Sequence, residues 1–230
     1  VINAEHKGHF FKDKTKFQWG AKMQFEHILD NISEWTYIDS AGYSLPHNVD
    51  SPGYSEPSAQ PYLQLKLQDT LFSEVQIQSF RNTAYCLAIR EFDIDSNKFI
   101  LNAGIRAQHW SLNKQFIFSP RATLSFKPHR LENYTFRFAS GIYYQPPFYR
   151  ELRNIDGTIN KNIKAQQSIH IVAGMDIDLM IWHRPFKFSS ELYYKHLNNL
   201  IPYIVDNVRI KYLPDIQSKG FAKGIDLKIN

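Results

Sequence analysis

The chain has 230 residues, 43% hydrophobic and 15% aromatic, with 27 Lys and Arg against 22 Asp and Glu. No run approaches the roughly 18 uninterrupted apolar residues of a membrane-spanning helix, which excludes a helical membrane protein. The basic residues stand singly among acidic ones, without the dense patch or aromatic–basic motif of a nucleic-acid binder. The lone Cys86 has no internal disulfide partner, and VINAEHKGHF lacks the basic start and apolar core of an export signal.

The dominant pattern is period two. Phe17, Trp19, Ala21, Met23 and Phe25 alternate with Gln18, Gly20, Lys22, Gln24 and Glu26. A noisier segment, roughly 73–94, sets Tyr85, Leu87 and Ile89 as the apolar face against Asn82, Ala84 and Arg90. Phe99, Leu101, Ala103, Ile105 and Ala107 then oppose Asn102, Gly104, Arg106 and Gln108. The cleanest segment, FIFSPRATLSFK, places Phe116, Phe118, Pro120, Ala122, Leu124 and Phe126 on one face, with Arg121, Thr123 and Lys127 on the other. Tyr134, Phe136, Phe138 and Ile142 oppose Thr135, Arg137 and Tyr143; Ile169, Ile171, Ala173, Met175 and Ile177 oppose His170, Asp176 and Asp178. Phe188, Leu192 and Tyr194 oppose Lys187, Glu191 and Lys195, and Phe221, Ile225, Leu227 and Ile229 close the series against Asp226 and Lys228. These segments predict eight antiparallel strands.

A dozen residues at about 3.3 Å each, tilted by about 40°, rise about 30 Å, enough to clear the roughly 25 Å apolar band of an outer membrane. Predicted connections are short around 95–97, 128–132 and 182–185 and long over roughly 30–72, 146–165 and 198–219. The 3–4 link near Asn113 is also short. Short periplasmic turns and longer outer loops are the habit of transmembrane barrels. Rings cluster at both ends of the apolar face, as interfacial girdles do. The predicted fold is therefore all-β, an antiparallel transmembrane β-barrel with alternate side chains facing lipid and lumen. Open edges are not tolerated in lipid, so further strands are expected on both sides, with residues 1–230 forming part of a single barrel domain. A small complete outer-membrane barrel of adhesin or hydrolase type, or a soluble all-β binding module, are the alternatives.

Gly104-Ile105-Arg106, Ser119-Pro120-Arg121, Pro146-Pro147 with Glu151-Leu152, IKAQQS and KGFAKGIDLKIN occur in an order that resembles the barrel of TonB-dependent outer-membrane receptors, in the style of the Bacteroidetes branch. That resemblance implies a 22-stranded barrel in the bacterial outer membrane. Its own plug domain, not seen in this chain, would bind TonB, and the receptor would take up a small nutrient such as a siderophore, cobalamin or glycan. It implies transport and no enzyme. No Gly-x-Ser-x-Gly occurs, the nine histidines show no ligand spacing, and neither a catalytic site, a metal nor a cofactor is expected. Ligand contacts are expected from Trp35, Tyr37, Trp110, Tyr143, Gln145, Tyr149, Arg150 and Tyr203, since aromatic and Arg side chains stack on or grip polar ligands. Arg106, Arg121, Arg137, Asp176, Asp178, Glu191 and Lys195 are expected to line the lumen and meet the plug.

Overall fold

A computed structural model describes residues 1–38, 66–206 and 209–230. Nine strands form one antiparallel sheet in chain order: β1 (Ile2–Lys12), β2 (Thr15–Ile38), β3 (Lys66–Ile94), β4 (Asn97–Trp110), β5 (Gln115–Lys127), β6 (Tyr134–Gln145), β7 (Gln166–Ile181), β8 (Arg184–Leu200) and, after a small hairpin, β11 (Ser218–Ile229). The hairpin pairs β9 (Tyr203–Asp206) with β10 (Arg209–Tyr212). All neighbours are joined in meander fashion, as the alternation predicts, and β1 and β11 are the sheet's two edges.

The structure changes the predicted elements in three respects. Residues 2–12, read only as lacking an export signal, form β1. The period is hidden there because His6 and Gly8 occupy the same face as Phe10, while Phe11 falls on the polar side. Second, β2 and β3 run to 24 and 29 residues, so the outer parts of the predicted 30–72 loop are strand; its centre, 39–65, lies outside the described residues. Third, the face assigned to β3 is inverted. Directly opposite residues of an antiparallel pair point the same way, and Tyr85 lies opposite Gly20 and Arg106, Leu87 opposite Gln18 and Gly104, and Ile89 opposite Lys16 and Asn102. Tyr85, Leu87 and Ile89 therefore share the polar face, while Ala84, Cys86 and Ala88 look outward with Ala21, Trp19 and Phe17.

The inward Tyr85 has a steric reason. Its ring lies over Gly20 so closely that a Cβ there would come within 2.5 Å, and Tyr193 covers Gly224 in the same way at 2.6 Å. Large polar-tipped rings on the inner wall thus lie across glycines of the next strand, where no side chain competes.

Turns at one end are tight. Asp95 and Ser96 (φ 48° and 67°) and Trp182 and His183 (51° and 61°) both sit in left-handed backbone, as two-residue type I′ hairpins require. Near these turns, on the apolar face, Phe92, Phe99, Phe126 and Phe136 form a row of stacked rings with successive centroids 5.4, 4.8 and 6.1 Å apart, and Phe10 stacks on Phe17 at 4.8 Å. At the opposite end Phe25 meets Phe80 at 5.0 Å and His109 meets Phe116 at 4.4 Å. Between the two rows lie residues such as Leu124, Ala122, Ala103 and Leu101, paired across β4 and β5. Phe116, Phe118, Ile225 and Leu227 are all more than half exposed, as expected of a surface whose solvent is hydrocarbon.

Candidate functional site

Apolar burial in this sheet is concentrated where the loop between β6 and β7, residues 146–165, folds back onto the polar face. Leu152 and Ile163 join Trp110 of β4 and Ile201 in a buried cluster, flanked by Leu112, Ile159 and Tyr212. The loop starts at Pro146-Pro147, with Pro147 fully buried, and a single 3-10 turn over Tyr149–Leu152 follows. Glu151 accepts a hydrogen bond from the Phe148 backbone N–H at 2.8 Å, which closes that turn and directs Leu152 inward. The Pro-Pro and Glu-Leu elements singled out in the sequence are therefore the start and the anchor of an inward-folded loop.

Polar contacts fix the loop on several sides. Ser73 Oγ donates to the Gly157 carbonyl (2.8 Å), Asn160 Nδ2 to Asp215 (2.7 Å), and the Ala165 N–H to Gln115 Oε1 (2.9 Å). Arg153 forms an ion pair with Asp30 of β2, and burial lowers the guanidinium pKa from its usual range. In the centre, Tyr149 donates to Glu26 of β2, which also receives Arg81 Nε at 3.1 Å and Gln24 Nε2. Ser79 lies 2.9 Å from the Tyr149 hydroxyl and accepts from Trp110 Nε1 at 3.2 Å. Above them the Arg81 guanidinium stacks 4.0 Å from the Trp110 ring centre. Glu26, Ser79 and Trp110 are 7, 1 and 1% exposed, so this carboxylate is buried only because donors surround it.

The predicted ligand residues are not brought to one point. Trp110 is enclosed by Arg81, Tyr149 and the loop, and Tyr149 is directed into the wall. Tyr143 is tilted against His170 on the polar face, centroids 4.6 Å apart, and Gln145 is exposed at the end of β6. Trp35 and Tyr37 stand exposed far out on β2, Trp35 edge-on to Phe72 at 5.4 Å. Arg150 is exposed, and Tyr203 packs at 6.2 Å against Tyr212 in the hairpin.

Of the predicted wall residues, Arg137, Asp176 and Glu191 converge. Arg137 Nη2 donates to Asp176 (3.0 Å) and Glu191 (2.8 Å), and Lys187 reaches the other Asp176 oxygen at 3.2 Å. Lys195 lies over the Tyr193 ring at 5.2 Å, Asp178 is exposed, and Arg106 and Arg121 are exposed without an ion pair among the described residues. Sequence reasoning missed Glu26, Ser79 and Arg81, whose even or odd positions marked a face but not a contact with a loop residue 68–123 positions away. Among the described residues no group of three or more His, Cys, Asp or Glu is placed to hold a metal.

Two solved structures match over 99% of this chain and 30% of their own: the outer membrane transporter YddB from Escherichia coli (12% identity, TM-score 0.59) and the FpvAI–pyocin S2 complex (12% identity, TM-score 0.54). Comparison with curated sequences gives no significant match. The chain thus spans about a third of the length of those structures and shares their fold. The family described as "TonB dependent receptor-like, beta-barrel" matches residues 3–230, nearly the whole chain. The alternating faces, the ring rows and this match lead to one conclusion: the chain belongs to the TonB-dependent receptor β-barrel family and is barrel wall of the bacterial outer membrane.

Proposed function

We propose that the parent protein is a receptor for energised uptake of a small, scarce nutrient, with this chain supplying part of its barrel and part of its outer vestibule. A plug domain would fill the lumen against the polar wall, and TonB would act on that plug from the periplasm. The observation that best supports this reading is the loop 146–165, held by hydrogen bonds and apolar packing on the polar face at the outer end of the strands, on the path of an incoming solute. Below it, Arg137, Asp176, Lys187 and Glu191 offer charges of both signs on the inner wall, suited to a hydrated protein surface that must release. The Bacteroidetes-type parentage rests on the sequence motifs alone. No observation favours an adhesin- or hydrolase-type small barrel or a soluble binding module over this reading.

The test is nutrient-limited growth and radiolabelled-nutrient uptake by cells with and without the parent gene, each in the presence and absence of a protonophore. Uptake should require the gene and collapse with the proton gradient, while binding to the cell surface persists. Gene-dependent uptake that ignores the gradient would refute an energised receptor.

A further inference from the structure

A cleft of about 570 Å³ lies between the outer reaches of β2 and β3, the 146–165 loop and the β9–β10 hairpin. Its apolar lining comes from all three: Ile32 and Leu71, Ile155, and Ile210 with Tyr212. Among the described residues that line it, the charges are unequal. Arg150, Arg153 and Lys211 face Asp30 and Glu34, and Asp30 is already engaged by Arg153. Glu34 and Lys211 contribute one charge of each sign, so Arg150 supplies the excess. Its side chain is exposed and makes no ion pair or hydrogen bond among the described residues.

The position of Arg150 follows from its neighbours. Tyr149 is turned into the wall by Glu26 and Ser79, Leu152 is fully buried, and Arg153 is pinned to Asp30. Three fixed residues within five positions leave Arg150 no inward option, and it stands at the rim. A cation beside an apolar floor that Tyr212 helps to line recognises a molecule with an anionic group at one end and a flat apolar body at the other. We propose that this cleft is the ligand-binding subsite contributed by this chain, and that it selects small anionic ligands with an aromatic or apolar body, anchored by Arg150. This inference rests on the receptor reading and narrows its ligand class.

The test uses the intact parent receptor in lipid nanodiscs, with Cys86→Ser and an environment-sensitive fluorophore on Ile216→Cys, which borders a neighbouring hollow. The probes are 1-naphthoate and its uncharged analogue 1-naphthalenemethanol. Naphthoate should give a saturable signal with an affinity at least tenfold above the alcohol's, and Arg150→Gln should bring it down to the alcohol's level. Hydrogen exchange of residues 146–165 should not change in Arg150→Gln; if it does, Arg150→Lys is read instead and should keep most of the preference. Equal binding of the two probes, no saturable signal, or an unaltered preference in Arg150→Gln would overturn the assignment. Because gradient-dependent uptake is measured separately, a failure here with uptake intact removes the ligand class and leaves the receptor standing.

Discussion

Tyr149 donates its hydroxyl hydrogen to Glu26 across 123 residues of chain, tying an outer loop to a strand five places earlier in the fold's order of elements. The bond matters because Glu26 is buried: each donor removed leaves a carboxylate with less compensation. Tyr149→Phe keeps the ring contact with Trp110 (centroids 5.8 Å apart) and deletes only the hydroxyl. Loop docking should weaken by about 1–2 kcal/mol, read as faster hydrogen exchange over residues 146–165 with the sheet itself unchanged. Unaltered exchange there would show that the apolar cluster alone holds the loop.

The same hydroxyl sets an alkaline limit. Burial first, and the Glu26 carboxylate second, hold the Tyr149 pKa above its ordinary 10.0. The fold therefore prefers the neutral phenol, so its contribution is complete below pH about 10 and is lost as pH rises through the higher native value. A fluorophore at residue 216 should report a docked loop from neutral pH to about 9 and release beginning above 10, and Tyr149→Phe should abolish that step. Release at lower pH, or a step that survives the substitution, would assign it to another group.

The inner-wall ion cluster predicts a contrast between two arginines. Arg137→Gln leaves Asp176, 6% exposed, with Lys187 as its remaining cationic partner. Arg137 itself is 37% exposed, so solvent screening reduces the loss to about 1–2 kcal/mol. Arg121→Gln, at an exposed residue without an ion pair, should fall within about 0.5 kcal/mol of the parent. The measure is the temperature at which the intact receptor loses its compact form on semi-native gels, and equal shifts would contradict the cluster's role.

The orientation of β3 is testable at its cysteine. Cys86 lies opposite Trp19 and Ile105 on the apolar face, so in membranes it should react with a lipid-soluble maleimide and resist a charged thiol reagent. Cys86→Ser with Tyr85→Cys should show the reverse once the lumen is accessible to water. Charged-reagent labelling of Cys86 would restore the opposite face to this strand.

Most of the sheet was legible because hydrocarbon and water impose a strict period of two, and β4 to β8 and β11 obey it in register. Two strands defeated the pattern for local reasons. In β3 the inner face carries Tyr85, Leu87 and Ile89, ring and aliphatic side chains that cross glycines or pack beside long polar chains, so hydrophobicity pointed to the wrong side. In β1 the outward His6 and Gly8 and the inward Phe11 blur the contrast. The site was harder still. Arg150 and Tyr149 were named from residue type, but that one turns into the wall and the other to the rim depends on Glu26, Ser79 and Leu152, brought together only by folding. A carboxylate on an inner face is also unremarkable in sequence until its burial is known.

The length of β2 has a consequence for reach. Twenty-four residues at about 3.3 Å each and a tilt of about 40° climb about 60 Å, more than twice the roughly 25 Å that lipid covers. The β2–β3 ribbon is therefore a mast whose upper half stands in the aqueous exterior, with Trp35 and Phe72 exposed along it. The cleft lined by Asp30, Ile32, Glu34 and Leu71 lies along this same outer half, beside Trp35 and Phe72, so an object arriving from outside meets the ribbon and the cleft together.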